Sequence, residues 1–304
     1  MARLNQTSLG TTVRSVIVAA TAAAVFGAPE WIRASTQPGE ILAEFARSLL
    51  IAYVLAHLVV RARVRSWKGA FLLGALLCVF QAAVLLGSLL HEHMPFLAYA
   101  VRGAYAAGST LVAVALLGFC KVFAPGGRDK DAHELVPDPD PLGSARTRPG
   151  VNSKAVLLAA VAAMVVGSIW YSPLLFGGAW ANLKSSASVG GAKIPPVEVL
   201  GELVRSGVMA YLLARLISIF RVAWKGSLLL GGALWLGFHA TLLLFSVIHE
   251  HMPVPLFAIH AGHGLANDLV IAAIVGAWRA KVHAAASTNG ASTSAAAAPR
   301  ALEG

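Results

Sequence analysis

The pentapeptide His-Glu-His-Met-Pro occurs twice in this sequence, at 91–95 and at 249–253, each time after a long uncharged apolar stretch. Other residues recur at nearly the same offset. Trp67, Lys68 and Gly69 match Trp224, Lys225 and Gly226, and many positions of the segment 40–58 match those of 198–216. Self-similarity at a fixed spacing is typical of duplicated architectures. The sequence therefore predicts a tandem duplication.

The composition predicts a membrane protein. Hydrophobic residues make up 57% of the chain and charged residues only 12%, whereas about a quarter of the residues in a soluble domain are charged. The mean hydropathy is +0.71. The segments 69–90 and 226–248 contain no formally charged residue, and each exceeds the roughly 20 residues that a helix needs to cross the hydrocarbon core. We expect the lipid bilayer to be the partner of these segments.

The apolar pattern predicts an all-α polytopic membrane bundle of eight transmembrane helices. The predicted spans are approximately 13–29, 40–61, 69–90, 96–122, 154–177, 198–220, 226–248 and 254–278. Four spans per unit make the duplication parallel, because both units then enter and leave on one face and are related by a pseudo-twofold axis along the membrane normal. The first span could instead be a cleaved signal peptide. Its internal counterpart favours a retained helix.

This pattern divides the chain into four segments. Residues 1–123 form a first, diverged four-helix repeat, and 154–283 form the second. The intervening 124–153 is rich in Pro, Gly and mixed charge, and 284–304 is rich in Ala, Ser and Thr. Such segments bury little apolar surface, which favours a disordered linker and a disordered tail.

The net charge of +10 does not indicate a nucleic-acid partner. The basic residues are scattered between apolar spans rather than clustered with aromatic residues on one face. In the eight-span arrangement most of them fall on one side, including those of 61–68, 121–154 and 279–300. The positive-inside rule then places both termini in the cytoplasm.

One motif carries a family resemblance. The residues from Gly167 to Trp180 read G-x-x-W-Y-x-P-x-x-F-G-x-x-W, and the string WLGF is found further along the chain at 235–238. This pattern resembles the four-helix bacterial membrane family catalogued as domain of unknown function 1761. The resemblance covers roughly 154–280 and implies a bacterial cytoplasmic membrane location, but no activity and no site residues. The first repeat lacks most of the motif, as expected of a diverged copy.

Three aromatic residues of this motif, Trp170, Tyr171 and Trp180, fall where the first span of the second repeat reaches the outer interface. Amphipathic rings are common at headgroup level, and Pro173 stops the helix. We expect interface anchors; stacking on a substrate is the alternative.

The two HEHMP segments could present paired imidazoles if their backbone is extended, as the adjoining proline favours. Imidazole and carboxylate groups suit zinc, copper or nickel. The candidate ligands are His249, His251 and His260. The alternative is a polar turn that ends the span.

Each repeat also opens a helix with two glutamates and an arginine, Glu40, Glu44 and Arg47 in the first and Glu198, Glu202 and Arg205 in the second. The acids complement the helix N-terminus, and each arginine can pair with the glutamate one turn earlier. The alternative is that these acidic groups lie at the extracytoplasmic entrance of a pathway through the bundle.

The last span carries His260, His263 and Asn267 on one helical face, with Asp268 adjacent. Asp268 and His239 both fall near the bilayer midplane, where ionisable groups are costly and normally have a partner. We expect these two to meet. Their first-repeat counterparts are Gln81 and, if one residue is skipped, Ser109. An interhelical hydrogen bond and a proton or ligand pathway through His239, His263, Asn267 and Asp268 both fit this pattern.

No stretch carries a recognisable reaction signature, and whether the chain is an enzyme stays open. The polar residues at midplane favour a permease for a small solute or ion between the repeats. The alternatives are a non-catalytic membrane or partner-binding protein and a metal-dependent membrane enzyme that uses the outer histidines. The sequence offers no convincing general base and nucleophile for the latter.

Overall fold

The computed structural model describes residues 38–61, 67–91, 96–123, 151–183 and 196–296. Regular structure in these ranges is entirely helical, which confirms the all-α class. The helices are α1 Pro38–Arg61, α2 Trp67–His91, α3 Phe96–Phe123, α4 Ser153–Trp170, α5 Gly177–Leu183, α6 Pro196–Phe220, α7 Trp224–Leu234, α8 Ala240–His249 and α9 Val254–Ala296. A π-helical turn, Trp235–His239, joins α7 to α8.

Six apolar segments in the described part of the chain are long enough to cross a membrane. They are Gly69–Gly87, Tyr99–Leu117, Ser153–Trp170, Val199–Phe220, Trp224–Ile248 and Val254–Arg279. Helix α1 contains a shorter apolar stretch, Phe45–Val59. Length and composition therefore make the chain a multi-pass membrane protein suited to a lipid bilayer. The predicted span 13–29 and residues 124–150 of the predicted linker lie outside the described residues.

Helix α4 is shorter than predicted. Its first turn is capped by Asn152, whose Oδ1 accepts hydrogen bonds from the backbone N–H groups of Lys154 and Ala155 at 3.0 and 3.2 Å. The helix ends at Trp170 rather than near 177, because Pro173 has no N–H to donate to the helical ladder. The chain then makes a tight turn, in which the N–H of Phe176 donates to the carbonyl of Trp170 at 3.1 Å. The short α5 beyond it was not predicted.

Helix α9 is longer than predicted. It continues to Ala296, past the end of its apolar span at Arg279, which agrees with the predicted end of the span near 278; the disorder of the segment from 284 stays a prediction. Alanine occurs repeatedly between 284 and 296, and it is the residue with the highest intrinsic helix propensity.

The bundle is organised around helices α2 and α6 and the π turn. Helix α2 packs against α3 and α6, α1 packs against α3 and α8, and α9 packs against α4, α6 and α7. Near the centre the rings of Phe80 and Phe238 meet edge to face at 6.4 Å, and both are fully buried. Helix α4 contributes a buried alanine face, which allows close helix approach; its members are Ala155, Ala159, Ala160 and Ala163.

Candidate functional site

A group of polar side chains lies between α6, α9 and the π turn, in the interior of the bundle. This group, termed the α9 cluster, comprises Glu202, Arg205, His239, His263, Asn267 and Asp268. Asp268 is 1% exposed and Asn267 4%. Polar groups at this depth in a membrane bundle normally have partners or mark a functional pathway.

His239 and Asp268 meet, as their positions in the sequence predicted. The His239 Nδ1 and Asp268 Oδ2 atoms are 3.4 Å apart, and both side chains are buried. Space for the imidazole depends on Gly264, because a Cβ at that position would lie 2.4 Å from the His239 Cε1 atom. The pair therefore requires a glycine one turn before Asp268 on α9.

The π turn positions His239, which is its last residue. Thr241, two residues after the turn, donates its hydroxyl to the carbonyl of Gly237 at 2.7 Å, and Trp235 Nε1 donates to the carbonyl of Ala261 at 2.8 Å. A π turn adds a residue to one helical turn and so rotates the next part of the helix about its axis, and such turns are frequent at functional sites. The periodicity of the apolar residues did not predict it.

Two buried oxygen atoms of the cluster have no hydrogen-bond partner among the described residues. They are Asp268 Oδ1 and Asn267 Oδ1. The amide nitrogen of Asn267 does have a partner, because Nδ2 lies within hydrogen-bond distance of His263 Nε2, at 3.0 Å. A buried acceptor without a hydrogen-bond partner costs about 1–3 kcal/mol of stability. Binding of a hydrogen-bond donor, a cation or a proton at these oxygen atoms would remove that cost.

Arg205 brings a positive charge to the same cluster. It is 6% exposed and forms a two-pronged pair with Glu202, at 2.7 Å through Nε and 2.5 Å through Nη2. This confirms the pairing that the sequence predicted for the second trio; the Glu44 side chain of the first lies outside the described residues. The charge of Arg205 also acts on Asp268 and His263.

The aromatic residues of the sequence motif face α9. The Tyr171 hydroxyl lies 2.9 Å from His260 Nδ1, and the Tyr171 ring contacts the His263 ring at 4.9 Å. Trp170 donates Nε1 to the carbonyl of Ile259 at 3.1 Å, and Trp180 stacks edge-on against Tyr171 at 5.7 Å. All three rings are partly buried. Their anchoring at the membrane interface stays a prediction, while Tyr171 closes one side of the α9 cluster.

The second HEHMP segment forms a helix-ending turn rather than the extended backbone that paired imidazoles required. The N–H groups of Glu250 and Met252 both donate to the carbonyl of Ser246, and His251 has a left-handed φ of 56°. Glu250 forms an ion pair with Arg102 of α3. The turn thus ties α8 to α3.

No three His, Cys, Asp or Glu side chains gather for a metal ion within the part of the chain that the structure describes. The His249 side chain and residues 92–95 lie outside that part. His260 is instead hydrogen bonded to Tyr171. A metal ion held by His249, His251 and His260 stays a prediction.

A second polar site lies in the first half of the chain. The Gln81 Oε1 atom of α2 accepts a hydrogen bond from the Thr110 hydroxyl of α3 at 3.0 Å. The two residues are 29 positions apart, as are His239 and Asp268. Thr110 lies 158 residues before Asp268, an offset that needs no skipped residue, whereas the match of Ser109 to Asp268 stays a prediction. Ser109 donates instead to the carbonyl of Tyr105 on its own helix.

A cavity of about 20 Å³ opens beside this pair. The buried guanidinium of Arg47 donates a hydrogen bond to the Tyr105 hydroxyl at 2.9 Å. Arg47 and Arg102 both lie over the ring of Phe245, each at 5.7 Å from its centroid. Sequence reasoning did not find this cavity, because its residues come from helices far apart in the chain.

The sequence model of a family described as "Protein of unknown function (DUF1761)" matches the chain twice, over residues 28–118 and 154–276. Together these regions cover more than half of the chain. The chain belongs to this family. No curated protein and no solved structure matches it.

The DUF1761 match confirms the resemblance seen in the motif from Gly167 to Trp180 and extends it to the first half, which lacks most of that motif. The two matched regions end at 118 and 276. Their ends are 158 residues apart, the same offset that separates His91 from His249, which is consistent with a repeat. The α9 cluster and the cavity each lie mostly within one of the matched regions.

Proposed function

We propose that this DUF1761 protein is a tandem duplication of a four-helix unit, with eight membrane spans and a pseudo-twofold axis along the membrane normal. Pairs of residues 158 positions apart support this arrangement. Phe80 and Phe238 are such a pair, and they contact each other near the bundle centre, where residues on a twofold axis would meet.

Contacts between the two halves support this arrangement as well. Arg47 of the first half lies over the Phe245 ring of the second. The corresponding contact joins Arg205 to Gly87, where a Cβ would lie 3.7 Å from the arginine Cδ. Arg205 follows Arg47 by 158 positions, and Phe245 follows Gly87 by the same number. The predicted span 13–29 and helix α1 complete the first unit in this proposal.

The proposed location is a bacterial cytoplasmic membrane with both termini in the cytoplasm. The distribution of Lys and Arg between the apolar spans supports it. Single cysteines at Pro139 and Ala187, in a variant without Cys78 and Cys120, test the orientation with a membrane-impermeant thiol reagent on intact cells. Labelling should occur at Ala187 and not at Pro139; the reverse pattern would refute the topology.

Within this architecture the protein acts as a proton-linked permease for a small solute or ion, with the α9 cluster as its coupling site. One observation carries the proposal: Asp268 is buried beside His239 within the apolar span Val254–Arg279, and its Oδ1 has no hydrogen-bond partner among the described residues. A structural ion pair would satisfy both oxygens. A carboxylate that exchanges a proton or a cation during transport needs an open position.

The test uses purified protein in liposomes that contain a pH-sensitive dye. An imposed pH gradient between about pH 5 and 8 is combined with a panel of small ions and solutes. Asp268→Asn should keep the fold, because the amide is nearly isosteric with the carboxylate, but should abolish pH-dependent flux. Thr110→Val, at the corresponding position of the first half, should retain flux.

Two results would refute the proposal. Wild-type protein that transports no member of the panel would remove the permease function, leaving a non-catalytic or partner-binding membrane protein. Asp268→Asn protein with wild-type flux would remove the coupling role of the cluster.

A metal-dependent enzyme is tested separately, by elemental analysis of protein incubated with zinc, copper or nickel and then washed; loss of bound metal in His249→Ala and His251→Ala would support it.

A further inference from the structure

The spacing between repeated residues changes by one within a single membrane span. Gly74 and Gly231 are 157 positions apart, whereas Gln81 and His239 are 158 positions apart. The Trp-Lys-Gly motif that opens α2 and α7 has the shorter spacing, and the HEHMP motif at the ends of α2 and α8 has the longer one. The second half therefore contains one residue more than the first between these points.

Burial locates the additional residue. Val79 and Leu236, which are 157 positions apart, are 48% and 41% exposed. The next two residues of like burial are Phe80 and Phe238, which are 158 positions apart and both fully buried. Gly237 lies between Leu236 and Phe238 and is left without a match in the first half.

Helix packing shows the same change of spacing. A Cβ at Gly74 would lie 3.5 Å from the Val114 Cβ, and a Cβ at Gly231 would lie 3.0 Å from the Ala272 Cβ. The two glycines are 157 positions apart, but the residues that they face on α3 and α9 are 158 apart. Beyond the π turn, both partners of the two polar pairs described above are 158 apart. Both sides of the span thus keep their contacts, and the additional residue is taken up between them.

The π turn provides the room for this residue. The N–H of Ala240 donates to the carbonyl of Trp235, five residues earlier, where an α-helix uses the carbonyl four residues earlier. The Thr241 hydroxyl donates to the carbonyls of Gly237 and Phe238 at 2.7 and 3.2 Å. Such hydroxyls satisfy backbone groups that an irregular membrane helix would otherwise leave without a partner. Helix α2, which lacks the additional residue, is α-helical throughout.

We infer that the π turn is a register switch for His239. If the additional residue is taken up about one turn further along the chain, the residues from Gly237 onward continue the helix of α7 and each side chain turns by about 100°. His239 then takes the direction that Ala240 has in the present structure, and Phe238 takes that of His239. This change separates His239 from Asp268 while both ends of the span stay in place.

This inference rests on the proposed duplication and deepens the coupling role proposed for Asp268, because it frees the carboxylate without moving a whole helix. The first half shows that the additional residue is not needed to bring the polar groups together. Gln81 meets Thr110 from an unbroken helix. Deletion of Gly237 should therefore leave His239 beside Asp268, in a continuous helix that has only one register.

The first experiment compares single-residue deletions by thermal denaturation of purified full-length protein in detergent. Deletion of Gly237 should leave the melting temperature near that of the wild type. Deletion of Val79, the matched control in a helix without an additional residue, should lower it by about 10 °C or more, because one part of α2 has to turn out of its contacts. Deletion of Gly237 that destabilises the protein as much as deletion of Val79 would overturn the inference.

The converse variant separates this inference from the duplication on which it rests. A glycine inserted between Val79 and Phe80 should be tolerated, because the first half then has the length of the second. If deletion of Gly237 is tolerated but this insertion is not, the additional residue is supported and the correspondence of the two halves is refuted.

The second experiment detects the two registers directly, by NMR of isotope-labelled histidine side chains in the same detergent. The His239 signal, identified by its loss in His239→Gln protein, should be doubled or broadened by exchange in the wild type and single in protein that lacks Gly237. Protonation of the pair occurs in both proteins and so does not cause the difference. A single sharp His239 signal in the wild type would overturn the switch. Neither experiment measures flux, so failure of the permease proposal would be seen separately, in the liposome assay.

Discussion

The two regions that match the family hold polar groups at positions 158 residues apart, but with different chemistry. The first region places neutral Gln81 and Thr110 in an interhelical hydrogen bond, and the second places His239 and Asp268 there. A cavity lies beside the first pair, whereas the ring of Tyr171 packs against His263 next to the second. The scaffold therefore specifies polarity at these positions, and the side chains specify which site can titrate.

Space explains part of this difference. Position 106 of the first region is a buried alanine, and its counterpart in the second is Gly264. An alanine at 264 would overlap the His239 ring, whereas Gln81 coexists with Ala106. The titratable pair and the glycine therefore occur together in one half.

The largest effect should come from the ion pair between Glu202 and Arg205 within the α9 cluster. Glu202→Leu leaves the buried Arg205 guanidinium without its two-pronged carboxylate and should lower the free energy of unfolding by about 3–5 kcal/mol. Thermal denaturation in detergent measures it. Tyr105→Phe, which removes the hydroxyl that bonds Arg47, should cost less. Equal losses would show that the two arginines are held equivalently.

The next effect concerns Gly264. Gly264→Ala should destabilise the protein by about 1–3 kcal/mol, because the added Cβ forces the His239 ring out of its position. The matched control is Ala106→Gly, where only the intrinsic helix cost of glycine, up to about 1 kcal/mol, applies. Gly264→Ala protein as stable as wild type would contradict the packing explanation. Melting temperatures of the two variants decide between them.

Sequence reasoning predicted the parts of the site that depend on helical periodicity and membrane depth. The pairing of Arg205 with Glu202 is a consequence of their three-residue spacing, and His239 meets Asp268 because either would be costly alone at midplane. The positions of α2, α3 and α6 were predicted to within two residues at each end. Long uncharged stretches carry a strong length signal.

The remainder depends on information that periodicity does not contain. The π turn at Trp235–His239 changes the helical phase after it, and the partner of Gln81 is Thr110 because of the register between α2 and α3. The pairing of Arg102 with Glu250 joins two halves of the bundle. Helix packing determines each of these features, so a single sequence carries only weak signals of them. One signal is Gly237, four residues before Thr241, whose hydroxyl donates to its carbonyl. The other is the spacing of 29 residues that the pairs Gln81–Thr110 and His239–Asp268 share.

Transferring the titratable pair to the first region tests the role of space directly. Gln81→His with Thr110→Asp should destabilise the protein while Ala106 is present, because the new imidazole meets its Cβ. Adding Ala106→Gly should recover about 1 kcal/mol or more of that loss. Thermal denaturation of the double and triple variants gives the comparison. If glycine at 106 brings no recovery, the two sites differ in backbone geometry and not only in side chains.

The smallest expected effect is the energetic coupling within each pair, which double-mutant cycles measure. Hydrogen bonds between membrane helices contribute on average about 0.6 kcal/mol, with a maximum near about 1.7 kcal/mol. For Gln81 and Thr110 the cycle of Gln81→Leu and Thr110→Val should give a value near the average, because both groups are neutral and their 3.0 Å bond is of ordinary length. The cycle of His239→Leu and Asp268→Leu should give a value near the maximum, because both partners are ionisable side chains and charge strengthens a hydrogen bond. Equal coupling in the two pairs would show that the two halves do not differ in this chemistry, which would remove the main physical argument for a proton-linked role of Asp268.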